Sequence, residues 1–431
     1  MCGALLKCAA FFYQTLTARS LTLKDGLVNF SQIIKEKRKM CKNIYVPLFV
    51  LLAAGFVLSA CGPSATPTVP STSGPQQPTV EPTAPPLPVG IVQINGAGAT
   101  FPLPVYSEWT YAYQYVDPAV IINYQGIGSG GGKKGIIDNT IDFAGSDSLL
   151  KDQEYTDGKD LQMYPMLAGA VVVVYNIAWA KDIPPSTTLP TLVLDRQTLV
   201  DIYNAKITKW NDAKIIALNP GLVGYLPDAA ITAVHRSDGS GTTEIFTRAL
   251  TAFSADWTAG GASSIEWPVD AAGNGIGGKG NQGVAAAVLN TPNSLGYVEL
   301  SYSISNNMAM ASMVNKAGNT TIANGDSVAS AMSDFANSFT DKFTTTIVDG
   351  PGANSWPIVG YTYIILHTTS MTDCVKAQKL LDYLQWALTD PGAANVASNL
   401  GYSVLPEVVR NQAIAKYHEV TCNGEAVLKQ N

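Results

Sequence analysis

His235-Arg236-Ser237-Asp238-Gly239-Ser240-Gly241-Thr242-Thr243-Glu244 gathers the side chains best suited to holding an anion. Arg236 carries a permanent charge on a planar fork of donors that fits phosphate or carboxylate. Asp238, two residues on, can hold that guanidinium in place. Ser240, Thr242 and Thr243 bring hydroxyls to a helix start, where the first-turn N–H groups have no intrahelical partners. Gly239 and Gly241 let a ligand approach the backbone closely. Such a helix start suits an anion. The plainer reading of the same residues is a capped helix with a surface arginine.

The flanking segments must position this stretch. The apolar run Ile231–Val234 predicts a strand, and the apolar periodicity of Ile245–Leu250 predicts a helix, so the order is strand, tight loop, helix. The same order recurs earlier in the chain. Ile91–Ile94 predicts a strand, followed by a glycine-rich turn over Asn95–Pro102 and a helix over Pro104–Tyr115. Val120–Tyr124 predicts a strand that leads through Gly126–Gly132 into a helix ending at Asn139, and Ile141–Asp147 is a short strand ending in a loop. Alternating strands and helices imply a mainly parallel sheet with ligands beyond the strand C-termini. Gly96-Ala97-Gly98 lacks the third glycine of a dinucleotide fingerprint, which discounts that reading.

Further on, Met166–Ala180 is a long apolar run, too short to span a membrane and interrupted by Asn176, and predicts a buried strand crossing into a second domain. Leu192–Trp210 has a helical pattern. Gly277–Gly283 is a glycine loop that opens a helix over Val284–Leu289, with Lys279 in it as a solvated side chain. Ile358–His367 predicts a strand crossing back, and Cys374–Leu388 a helix.

At 431 residues the chain exceeds one ordinary core, so two domains are expected. With 46% hydrophobic and only 14% charged residues it is not a disordered chain. Residues 1–60 hold eight Lys/Arg and two Asp/Glu. The remainder has 19 basic and 31 acidic residues, a net charge of −12. So acidic a body excludes nucleic-acid binding through a broad basic face. An anion must therefore be held by local dipoles and few charges. No CxxC spacing occurs, and three scattered histidines give no metal pattern, so no metal or cofactor is expected.

The N-terminal region is organised for export. Lys35–Lys39 is a basic cluster, Ile44–Ala60 an apolar run, and Leu58-Ser59-Ala60-Cys61 resembles a bacterial lipoprotein box. Met40 is read as the true start, with 1–39 as an upstream extension, 40–60 as the signal peptide and Cys61 as the lipidated residue. Residues 61–89, rich in Pro, Thr and Ser, are an extended tether. With Cys61 lipidated, Cys374 and Cys422 are the cysteines left in the mature body, and two such residues in an exported protein invite a disulfide.

Gly96–Pro102, Tyr124–Gly131, Asp142-Phe143 with Ser146-Asp147, and Arg236–Thr242 occur in that order. Together with Asp201-Ile202-Tyr203, Lys209–Asp212, Gly277–Gly283 and Gly296–Glu299, they resemble the phosphate-binding proteins of bacterial ABC phosphate importers, from about Gly90 to about Tyr417. The resemblance implies an α/β, two-lobed periplasmic-binding-protein fold of type II. Lobe I would comprise 90–169 and 352–431, lobe II 170–351, with two crossover segments and the ligand in the cleft. It implies a phosphate shell of Thr100, Phe101, Ser129, Asp147, Arg236, Ser240, Gly241 and Thr242, with Asp238 pairing the arginine. It further implies an extracytoplasmic, lipid-anchored, monomeric receptor that delivers inorganic phosphate to a membrane-embedded ABC permease.

The chain departs from the family pattern at Gly130, Ala144-Gly145 and His235 without losing one of these residues. Alternative readings are a receptor for sulfate, molybdate or an organic phosphate, or a sensor or adhesion lipoprotein that keeps the fold but does not transport. A secreted serine hydrolase or phosphatase would need a base for Ser240, and His235 has no evident orienting partner.

Overall fold

A computed structural model describes residues 90–428. The expected extension (1–39), signal peptide (40–60), lipidated Cys61 and tether (61–89) lie outside the described residues.

Eight strands carry the architecture: β1 (Val92–Gly98), β2 (Val120–Gly126), β3 (Phe143–Ser146), β4 (Leu161–Asn176), β5 (Thr232–Arg236), β6 (Gly275–Gly278), β7 (Ser294–Glu299) and β8 (Val359–His367). They line up in the order β2-β1-β3-β8-β4-β7-β5-β6. β1 is parallel to β2 and β3, and β5 is parallel to β6 and β7. The two long strands run against their neighbours: β8 is antiparallel to β3 and β4, and β4 is antiparallel to β7. The sheet is therefore mixed rather than mainly parallel, because β4 and β8 are crossing segments and not members of strand–helix–strand units.

The result is an α/β fold of two lobes. The first part of β4, Leu161–Ala170, pairs with β8, and the second, Val171–Asn176, pairs with β7. Met163 through Val174 is buried throughout. A strand covered on both faces reads as a continuous apolar run instead of an alternating one, which is the pattern seen in the sequence.

The helices that matter for the site are α1 (Leu103–Tyr113), α2 (Ser129–Ile137), α3 (Arg196–Tyr203), α4 (Gly241–Phe253), α5 (Gly280–Asn290) and α6 (Cys374–Thr389). Two expectations need correction. Leu192–Trp210 is not one helix: Val193–Asp195 is a strand, and Asp195 caps α3 by accepting from Thr198 N at 2.6 Å. α3 then ends where Ala205 takes a left-handed conformation at φ 57°. Similarly, Gly96–Gly98 is strand rather than turn, because it pairs with both β2 and β3. A Cβ on Gly98 would lie 2.0 Å from Gly145 O, so the small residues there serve close strand packing. Cys374 and Cys422 form a disulfide, with Cα atoms 5.4 Å apart, that ties the C-terminal segment to the start of α6.

Candidate anion site

Arg236 ends β5, and the loop that follows bends back on it. Its Nε donates to Asp238 Oδ1 at 2.7 Å and its Nη2 to Asp238 Oδ2 at 2.6 Å. Nη1 lies 3.4 Å from Thr242 Oγ1. The arginine side chain is 1% exposed. Burial raises the Asp238 carboxyl, but the hydrogen bonds and charge of Arg236 more than offset this and hold it below its ordinary value. Gly280 N also donates to Asp238 Oδ1, at 3.0 Å.

The helix α4 begins directly behind. Ser240 is its N-cap, and Ser240 Oγ accepts from Thr243 N at 3.0 Å. Accepting that bond leaves the hydroxyl proton to give. Gly241 and Thr242 form the first turn and are buried.

Ser129 is the first residue of α2, after Gly128 in a left-handed conformation at φ 87°. A Cβ on Gly128 would sit 2.4 Å from Asp238 Oδ2, so only glycine lets α2 approach the arginine loop. Ser129 Oγ accepts from Gly241 N at 3.0 Å and from Asp147 N at 3.3 Å, and donates to Asp147 Oδ2 at 3.4 Å. Asp147 directly follows β3 and is 5% exposed. Its Oδ1 accepts from Thr362 Oγ1 at 2.8 Å. Burial pushes the Asp147 carboxyl up to about 7, against the lowering by Thr362, the Arg236 charge and Ser129, with Glu244 adding repulsion.

Thr100 and Phe101 lie between β1 and α1, both buried. Thr100 Oγ1 accepts from Asn281 N at 3.1 Å and from Asn281 Nδ2 at 3.0 Å, and the same Nδ2 donates to Thr242 Oγ1 at 3.0 Å. Tyr402 Oη donates to Phe101 O at 2.7 Å and lies 2.8 Å from Glu299 Oε2. One phenolic proton cannot serve both. Burial pushes the Glu299 carboxyl up to about 8, against the lowering by Ser301 and Tyr402.

Hydrogen bonds thus join Ser129, Asp147 and Gly241 into one group, and Arg236, Asp238, Thr242 and Thr100 into a second. Ser240 caps the helix that carries Gly241 and Thr242. Phe101 is held through its carbonyl, while its ring packs edge-on against Tyr402 with centroids 6.2 Å apart. Lys279 is exposed at the head of α5. Two buried residues, Thr362 and Asn281, were missed in the sequence. Thr362 lies in an apolar strand where a threonine looks like a β-former, and Asn281 sits in a glycine loop whose lysine is the more conspicuous residue.

His235 needs a correction too. It has an orienting partner, Asp270, with Nε2 2.8 Å from Oδ1, while Nδ1 lies 3.0 Å from Arg236 O and the ring stacks on Trp267. Both ring nitrogens are thus engaged away from Ser240, so the pair does not make Ser240 a nucleophile. Among the described residues no group of three or more His, Cys, Asp or Glu could hold a metal.

Residues 69–391 match the model of a PBP superfamily domain. The phosphate-binding protein PstS of Pasteurella multocida is 38% identical over 327 residues, covering 75% of this chain and 89% of that one. The chain belongs to the phosphate-binding protein family of the PBP superfamily. The phosphate-binding protein PstS of Xylella fastidiosa is 39% identical over 317 residues, covering 73% of this chain and 82% of its own. A solved phosphate-binding protein from Stenotrophomonas maltophilia superposes with a TM-score of 0.57 at 19% identity, over 78% of this chain and 99% of that one. At that identity it speaks for the fold. Both relatives are named as phosphate-binding proteins, in keeping with the expectation of a solute-binding protein rather than an enzyme.

Proposed function

We propose that this chain is an extracytoplasmic receptor that binds inorganic phosphate between its lobes, 90–169 with 352–431 and 170–351, and hands it to an ABC-type permease. The observation that carries this reading is the buried Arg236, fixed by Asp238 beside the first turn of α4 and opposite the buried carboxyl of Asp147. A shell of hydroxyls, helix-start N–H groups and one oriented guanidinium is made of donors, and Asp147 is its acceptor. That mixture fits a tetrahedral oxyanion that still carries a proton. Thr100, Phe101, Ser129, Asp147, Arg236, Ser240, Gly241 and Thr242 are assigned to the phosphate. To bind, phosphate takes the Gly241 N–H from Ser129. Lipid on Cys61 anchors the body as a monomer to the outer face of a cell membrane. No helix among the described residues is long and apolar enough to cross a membrane.

Isothermal titration with phosphate and with sulfate tests the reading. Phosphate is expected to bind and sulfate, above pH 8, not to compete. Absence of phosphate binding, or tighter binding of sulfate, would overturn it.

A further inference from the structure

Asn281 is the second residue of α5 and is fully buried. Its Oδ1 accepts from Glu299 N at 2.9 Å. A backbone N–H can only donate, so this contact fixes which end of the amide is oxygen and turns the NH₂ group the other way. That NH₂ group has two protons, and Nδ2 lies 3.0 Å from Thr100 Oγ1 and 3.0 Å from Thr242 Oγ1. Both donors of the amide are thereby taken, and its oxygen has a partner.

The consequence falls on the two threonines. A hydroxyl has two lone pairs and one proton. Thr100 Oγ1 accepts from Asn281 N and from Asn281 Nδ2. Thr242 Oγ1 accepts from Asn281 Nδ2 and from Arg236 Nη1. Both lone pairs of each hydroxyl are taken, and each is left with nothing but its proton to offer. Neither hydroxyl donates to a protein acceptor among the described residues. Thr100 follows β1 and Thr242 lies in the first turn of α4, so one amide controls hydroxyls from opposite halves of the sheet.

We infer that Asn281 is the positioning residue that makes Thr100 and Thr242 obligatory proton donors toward the bound anion. The inference rests on the proposal that these two hydroxyls face phosphate. Asn281 itself does not touch the ligand. It sets the polarity of the groups that do, and it excludes any ligand that would need them as acceptors.

A double-mutant cycle on the full chain tests this, read as phosphate affinity by calorimetry. Asn281→Ala frees both hydroxyls to rotate and is expected to weaken phosphate about tenfold or more. In a Thr242→Val background one of the two hydroxyls is already gone, so Asn281→Ala should there cost at least about threefold less. Equal losses in the two backgrounds would show that Asn281 only fills space, and would overturn the inference. If Asn281→Ala does not fold, Asn281→Asp keeps the shape and the Glu299 contact but accepts both hydroxyl protons. It should lose phosphate at neutral pH and regain it partly as the pH is lowered and the new carboxyl protonates. An Asn281→Asp protein that binds phosphate like wild type overturns the inference equally. A wild-type chain that does not bind phosphate at all would instead remove the function proposed above.

Discussion

Arg236 and Asp238 meet through two parallel hydrogen bonds, Nε to Oδ1 at 2.7 Å and Nη2 to Oδ2 at 2.6 Å. The partner is two residues away on the same loop, so the pair forms with the loop and does not wait for the lobes to come together. A buried guanidinium without such a partner is costly. With it, the fork is held in one orientation, and the N–H groups that Asp238 leaves over point toward Thr242 and the start of α4.

Arg236→Lys is therefore not a conservative change. A lysine cannot make both bonds to Asp238 and still present a directed donor. A charge-assisted hydrogen bond contributes about 1.5–3 kcal/mol, so phosphate affinity should fall by roughly 10–100-fold. Calorimetric titration measures it, and unchanged affinity would take Arg236 out of contact with the anion.

The arginine loop was legible in the sequence because its parts are contiguous: Arg236, Asp238 and Ser240 announce their geometry by spacing alone. The crossing strands were legible from continuous apolar runs. What was hidden is non-local. Thr362 meets Asp147 across 215 positions, because β8 pairs with β3 in a register that sets Tyr363 opposite Ser146. On its other side the pairing of β8 with β4 slips between Thr362 and Tyr363, whose partners are Leu167 and Pro165. Pro165 has no N–H to give a ladder. Nothing in a local pattern reports such a register. Asn281 was hidden for the same reason: its partners, Thr100, Thr242 and Glu299, come from three separate segments.

Asp147 should make stability fall with rising pH. Burial raises its carboxyl from 3.8 to about 7 in the folded chain. A group with a raised folded value favours folding fully below its unfolded value, and that contribution is lost as pH rises through the folded one. The window is thus about pH 4 to 7. Three units at ~1.4 kcal/mol each bound the effect at about 4 kcal/mol. In phosphate-free buffer, Asp147→Asn should melt a few degrees above wild type at pH 8 and no higher at pH 4. A melting difference that does not change with pH would show that the carboxyl is not the source.

Cys61 is expected to carry lipid. Leu58-Ser59-Ala60-Cys61 closes an apolar run and is followed by the Pro/Thr/Ser-rich segment to residue 89. Mass spectrometry of the native protein should find an acylated N-terminal cysteine. An unmodified Cys61 in a chain that still carries 44–60 would refute the anchor.

Asp147 should decide which oxyanion binds. An ionised carboxylate repels an anion at close range, by several kcal/mol at moderate dielectric. Repulsion becomes attraction when one proton lies between the two, and the proton can come from either side. Hydrogen phosphate and dihydrogen phosphate bring one as P–OH, and the bond to an ionised carboxylate is short and charge-assisted. Sulfate brings none at neutral pH, so it can bind only to the protonated form of Asp147. With phosphate placed as proposed, Thr362 also favours one oxygen for that proton. It donates to Oδ1 at 2.8 Å and leaves Oδ2, beside Ser129, for the shared proton. Sites that leave a buried polar group unpaired reject an analogue by about 10⁴-fold or more. Millimolar sulfate is therefore expected not to compete above pH 8, and to gain affinity as the pH falls below about 7, where burial lets Asp147 take up its own proton. Asp147→Asn supplies an amide N–H that can face a sulfate oxygen, so it should lose discrimination more than it loses phosphate affinity. Thr362→Val removes the donor to Oδ1 and should shift the onset of sulfate binding to higher pH, while Thr362→Ser keeps the hydroxyl and should leave the onset in place. Titration of the four proteins with both anions across this range is the measurement. A sulfate-to-phosphate affinity ratio that is the same in wild type and Asp147→Asn at every pH would take the selectivity away from Asp147.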